Sequence, residues 1–199
     1  MLILAFDTAT DVATVALVHD DDVLGERRTR AVCLLEDVEE LLHDAGLHAQ
    51  EIGGIAVGTG PGSYTGLRMG LITARTLAFS LDVPVAGIST LDALAAGAPG
   101  AVPLIDGKRR ELFVLADGEP RCVAAADLTV ERGTRYVGDG AIRYRATIEG
   151  RGGAVPPDEA TEHLPWARHH ARLALDFGPA EAAEPIYLRL PDAERALRR

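Results

Sequence analysis

The chain has 199 residues, 47% apolar, 5% aromatic and 25% charged, and its 30 acidic against 20 basic side chains give a formal charge of −10. That balance excludes a disordered chain, and it excludes a protein that grips nucleic acid through its own bulk positive field. Two cysteines, Cys33 and Cys122, form no CxxC pair and cannot build a disulfide framework, so a reduced, cytoplasmic setting is expected. The longest apolar stretch, Leu67 to Leu81, carries Arg68 and Arg75 and is too short and polar to span a bilayer. Met1 to Phe6 lacks a basic leader and meets Asp7 at once, unlike a secretory signal.

Leu2 to Phe6 is a continuous apolar run and predicts a buried strand that enters a polar turn at Asp7-Thr8-Ala9-Thr10. Val12 to Val18 and Val23 to Thr29 predict two further strands of an antiparallel meander, separated by Asp20-Asp21-Asp22. From Leu34 to Ala45 apolar residues recur every three or four positions against an acidic face, the pattern of an amphipathic helix, with Gly46 as its stop. Ile52 to Val57 predicts a strand, Gly58 to Gly66 a glycine-rich loop, Thr65 to Leu81 a second helix and Val83 to Gly87 a short strand. A helix over Thr90 to Ala96 follows, capped by Ser89 or Thr90. Gly97-Ala98-Pro99-Gly100 is the expected boundary between residues 1–99 and a smaller unit at 100–190, with a flexible tail at 191–199. Beyond it strands are expected at Val102 to Asp106, Glu111 to Ala116, Arg121 to Ala125 and Arg135 to Val137. A helix is expected over Leu164 to Phe177, and an extended piece over Ile186 to Leu190.

Four glycines and a proline between a strand and a helix allow close backbone approach, and a helix N-terminus can receive an anion. The two standard phosphate patterns fail: no lysine closes a P-loop, and Ser63 stands where GxGxxG needs its third glycine. Two readings stay open. The loop is either a plain turn or an anion or nucleotide site built from Asp7, Thr8, Thr10, Gly60, Gly62 and Ser63. The helix after the loop carries Gly66, Gly70, Ala74 and Ala78 at intervals of four, a stripe that permits close packing of another element. Because this helix is apolar nearly all round, it is covered either wholly by its own chain or in part by a second protein. None of the six histidines has HxxxH spacing, so all are read as surface or filler residues, and no metal site is expected. Ser63 lacks a GxSxG context, and no complete catalytic set is visible. Lys108-Arg109-Arg110 is a short basic turn, read as solvated surface.

The blocks Leu4-Ala5-Phe6-Asp7-Thr8-Ala9-Thr10, Gly58-Thr59-Gly60-Pro61-Gly62-Ser63-Tyr64-Thr65-Gly66-Leu67-Arg68 and Val85-Ala86-Gly87-Ile88-Ser89-Thr90-Leu91-Asp92 resemble, in order, the TsaB (YeaZ) family. Ile105-Asp106 with Arg109 to Leu112, and Pro185 to Arg189, resemble its later motifs, while 115–184 match thinly. The resemblance implies an α/β chain of the actin-like ATPase (ribonuclease H-like) fold, with two lobes of mixed sheets flanked by helices. It implies work in placing threonylcarbamoyl on the tRNA adenosine beside the anticodon, as a non-catalytic partner of TsaD, with the ATPase TsaE joining. No cofactor of its own is then expected, and ATP and a divalent metal belong to the partner subunits. Family members pair, with themselves or with TsaD, through two helices that fall here at Leu34 to Ala45 and Leu67 to Leu81. The residues expected at that interface are Leu34, Leu35, Val38, Leu42, Gly66, Leu67, Gly70, Leu71, Ala74 and Ala78. Ala31-Val32-Cys33 departs from the family's usual start to the first helix. The alternative is a nucleotide-binding actin-like enzyme, or a glycoprotease-like peptidase, acting alone.

Overall fold

The computed structural model describes residues 1–188. The expected tail at 191–199, and the end of the extended piece expected over Ile186 to Leu190, lie outside the described residues.

The opening apolar run forms β1 (Leu2–Asp7), and every one of its residues is buried. It is central because it has neighbours on both edges: β2 (Ala13–His19) pairs with it antiparallel and β4 (Gly54–Gly60) parallel. With β3 (Asp22–Thr29) and β5 (Val85–Ser89) the sheet order is β3-β2-β1-β4-β5. Strand alternation divides the side chains by size. Leu2, Leu4, Phe6, Val15 and Leu17 face α1 (Leu34–Ala45) and α2 (Tyr64–Leu81), while Ile3, Ala5, Ala16 and Val18 face α6 (Ala167–Leu173), which presents Ala167 and Ala171. Alanine against alanine lets that short helix lie close to the sheet.

The caps follow the chemistry of the sequence. Gly46 adopts φ 67° and ends α1, while Ser63 caps α2 by accepting a hydrogen bond from the Gly66 N–H. Ser89, not Thr90, caps α3 (Thr90–Gly97).

The second sheet comprises β6 (Ala101–Asp106), β7 (Glu111–Ala116), β8 (Glu119–Ala124) and β9 (Arg135–Val137), in the order β8-β7-β6-β9. Its pairing repeats β3-β2-β1-β4: a meander with the fourth strand parallel to the first. Leu91 and Leu94 of α3 pack on Ile105, Phe113 and Val137 of this sheet. The opposite face is covered by α4 (Asp139–Arg143) and α5 (Arg145–Gly150), with Ala141 and Ile148 in its core.

Three expectations change. The helix expected over Leu164 to Phe177 is confined to Ala167–Leu173, because Pro165 disfavours helical geometry before it and residues 174–178 leave to meet the edge of β5. No strand forms at Ile186 to Leu188; the Ile186 N–H donates a single hydrogen bond to the Thr59 carbonyl at 2.8 Å and no ladder follows. Chain order also misplaces the last part of the 100–190 unit. Helix α6 packs on the first sheet, where Gly178 bridges to Val85.

Candidate docking face and glycine-rich loop

The glycine-rich loop packs down onto the turn after β1. A Cβ on Gly62 would lie 2.2 Å from the Ala9 carbonyl oxygen, and one on Gly66 would lie 2.0 Å from that of Thr8. The Ser63 N–H donates to the Ala9 carbonyl at 2.7 Å, and the Thr8 hydroxyl donates to the Gly66 carbonyl at 2.8 Å. These glycines serve the approach of two backbones of the same chain. Thr10 bonds its own turn, to the Val12 carbonyl.

Asp7 is fully buried. Its Oδ1 accepts from the Ala9 N–H at 2.6 Å and its Oδ2 from the Thr90 hydroxyl at 2.6 Å; the same Thr90 oxygen accepts from the Gly60 N–H at 3.1 Å. His170 Nε2 lies 2.8 Å from Asp7 Oδ2, off the line of a well-aligned hydrogen bond, so the contact is close and electrostatic. Asp7 thus joins β1, β4, α3 and α6. This corrects the expectation for the histidines. His170 is fully buried, and His163, whose Nδ1 accepts from the Gly138 N–H, is buried as well. Neither burial has a signature in spacing.

The small-residue stripe also turns inward. A Cβ on Gly70 would lie 2.3 Å from Thr8 Oγ1, and Ala74 and Ala78 belong to the core under α1 and α2. Leu34, Val38, Leu42, Leu67 and Leu71 are buried by their own chain as well. Of the ten expected interface residues only Leu35 is exposed, at 57%. The reason is geometric: small residues mark the closest approach, and here the closest neighbour is the β1 turn. The outward face carries Ile72 at 62% and Phe79 at 91% exposure, and Val32, just ahead of α1, stands at 73%. At the start of α2, Arg68 lies over the Tyr64 ring and Tyr187 packs against the same ring at 5.1 Å.

Comparison with known proteins adds identity to this geometry. The TsaD family, described as tRNA N6-adenosine threonylcarbamoyltransferase, matches residues 27–131. The TsaB protein of Bacillus subtilis, described as a tRNA threonylcarbamoyladenosine biosynthesis protein, is 37% identical over 122 residues; the match covers 57% of this chain and 53% of that protein. An uncharacterised protein of Mycobacterium tuberculosis is 34% identical over 96% of this chain and 93% of its own length. The solved structure of YeaZ from Pseudomonas aeruginosa superposes with a TM-score of 0.76 at 29% identity, covering 94% of this chain and 99% of that one. The chain belongs to the TsaB (YeaZ) family. Its fold is the actin-like ATPase, ribonuclease H-like fold, with two mixed sheets flanked by helices. The match to the Bacillus protein spans about half of that relative's length.

A nucleotide-binding reading of this TsaB-family chain requires ATP and a divalent cation to sit beside Asp7 and the glycine-rich loop. The residues do not fit. Asp7, the carboxylate that ends β1, is committed to three groups of its own chain, and the glycine-rich loop is closed onto the turn a phosphate would have to enter. No group of three or more His, Cys, Asp or Glu side chains is placed to hold a metal ion among the described residues. None of their helices is long and apolar enough to cross a membrane.

Proposed function

We propose that this chain is a non-catalytic subunit in tRNA threonylcarbamoyladenosine biosynthesis. It docks on the TsaD threonylcarbamoyltransferase through the outer face of α1 and α2, and TsaE joins the pair. The same face serves a second copy when TsaD is absent. Support for the pathway comes from relatives that carry that name and match about half of the chain. Support for docking rests on one observation: a helix pair whose inner face is saturated by its own sheet still presents Ile72, Phe79, Val32 and Leu35 to solvent. Large apolar side chains left exposed on such a pair, and on the turn that precedes it, are the material of an interaction surface.

The test is co-purification with TsaD of the same organism, together with an assay for the modified nucleoside in which each component is left out in turn. Phe79→Ser should weaken pairing by about 2 kcal/mol, roughly thirtyfold, because a buried aromatic anchor dominates such contacts. Product from this chain alone, or undiminished pairing by an Ile72→Ser/Phe79→Ser variant, overturns the reading.

A further inference from the structure

We infer that Lys108 is a resident cation that joins the turns at the strand ends of the two sheets, with Arg143 adding a second counter-charge to the buried Asp106. The inference goes beyond the docking role and needs no partner.

Lys108 sits in the β6–β7 turn, yet its Nζ lies 3.0 Å from Oδ2 of Asp11, in the β1–β2 turn. The same nitrogen is 3.4 Å from Oδ2 of Asp106, at the end of β6. Arg143 Nη1 approaches that Asp106 oxygen at 3.5 Å. The Asp106 side chain is only 4% exposed, so its charge needs a counter-charge on the spot. Two carboxylates, one in the β1–β2 turn and one ending β6, therefore converge on Lys108, and Arg143 adds a second positive charge at Asp106.

The turn is built for this placement. Lys108, Arg109 and Arg110 adopt φ of 58°, 50° and 64°, three successive left-handed residues without a glycine. Such a run persists only where the surroundings fix it. Here the Lys108 N–H donates to Asp106 Oδ1 at 2.9 Å, the Glu111 N–H to the Lys108 carbonyl at 2.9 Å and the Gly107 N–H to the Glu111 carbonyl at 3.0 Å. Asp139 Oδ1 accepts from the Asp106 N–H at 2.9 Å and fixes the end of β6. Partial burial pulls the Lys108 ammonium down in pKa, but Asp11 and Asp106 more than offset this and hold it charged. The relation between the two turns is thus set by covalently tethered charge and does not depend on a ligand.

The experiment titrates Mn²⁺ into the purified full chain, read by electron paramagnetic resonance, and follows the thermal midpoint in magnesium and in EDTA. Wild type and Lys108→Arg should take up no Mn²⁺ in the millimolar range and should melt alike with magnesium or chelator. Lys108→Met/Arg143→Met removes both cations and leaves the carboxylates facing one another. It should melt lower, bind Mn²⁺ at least ~tenfold more tightly than wild type and recover part of the lost midpoint when Mn²⁺ is added. Adding Asp106→Asn should abolish the uptake. Lys108→Met alone, at a half-exposed side chain, should give the same response at smaller amplitude. Mn²⁺ or Mg–ATP binding by wild type as tight as by the variant, or a folded variant that takes up no Mn²⁺, overturns the inference. Because no partner is in the cell, a failure of the docking reading leaves this result untouched.

Discussion

His169 packs over Gly97 of α3, where a Cβ would come within 3.2 Å of its Nε2. Burial, with Arg168, Arg172 and His170 adding positive charge, lowers its pKa from 6.5 to about 4. The folded state therefore resists protonation that the unfolded chain accepts. Its contribution to stability is present above pH 6.5 and is lost as pH falls towards 4. The side chain is partly exposed, so solvent screening reduces the effect to about 1–2 kcal/mol. Urea unfolding of His169→Gln should show a correspondingly flatter pH profile over that window. Asp139 has the opposite sign. Burial, then the neighbouring Asp106 charge, raises its pKa, so ionisation at neutral pH works against the fold. Asp139→Asn keeps the acceptor for the Asp106 N–H and should be more stable than wild type at pH 7. The difference should close as the solution is acidified and the wild-type carboxyl protonates.

At the scale of the element, α2 has two faces with opposite responses to substitution. Gly70→Leu drives a side chain into the buried Thr8 side chain and should cost about 3 kcal/mol of stability, through overpacking and loss of the Thr8 hydroxyl's bond to the Gly66 carbonyl. Phe79→Ser alters a side chain that is 91% exposed and should change stability by no more than about 0.5 kcal/mol. Circular dichroism melts of the two variants, set beside their pairing, separate the helix's role in folding from its role in docking. If Gly70→Leu folds normally, the inward assignment of the stripe is wrong.

Across the whole molecule, the segment after α6 works as a strap. Gly178 bridges to Val85 at the edge of β5, and Ala183 is buried with its carbonyl accepting from Arg75 Nη2 at 2.9 Å. Ile186 bonds Thr59, Tyr187 packs on Tyr64 and Leu188 reaches the core beneath the second sheet. The strap runs from one sheet past the glycine-rich loop to the other. A chain ending at Phe177 should lose on the order of 2–4 kcal/mol, from uncovered apolar surface and the lost aromatic contact, measured as a lower urea midpoint.

The order of elements from β1 to α3 was legible in the sequence because each carries a local cause. Five apolar residues in a row specify a buried strand, an i, i+3, i+4 recurrence specifies α1, and Gly46 and Ser89 end or cap their helices through their own conformational preferences. The motif blocks fixed the family for the same reason: they are contiguous in the chain. Which face of α2 points outward was not legible, since a helix apolar on all sides has no preferred inside until Thr8 is brought against Gly70. The same holds for His170 on Asp7, 163 positions apart in sequence, and for Lys108 on Asp11. Nor does spacing reveal that the second sheet repeats the pairing of the first. Local propensity writes elements into a sequence, whereas long-range contacts exist only once the chain has closed on itself, and the face proposed for docking is what that closure leaves uncovered.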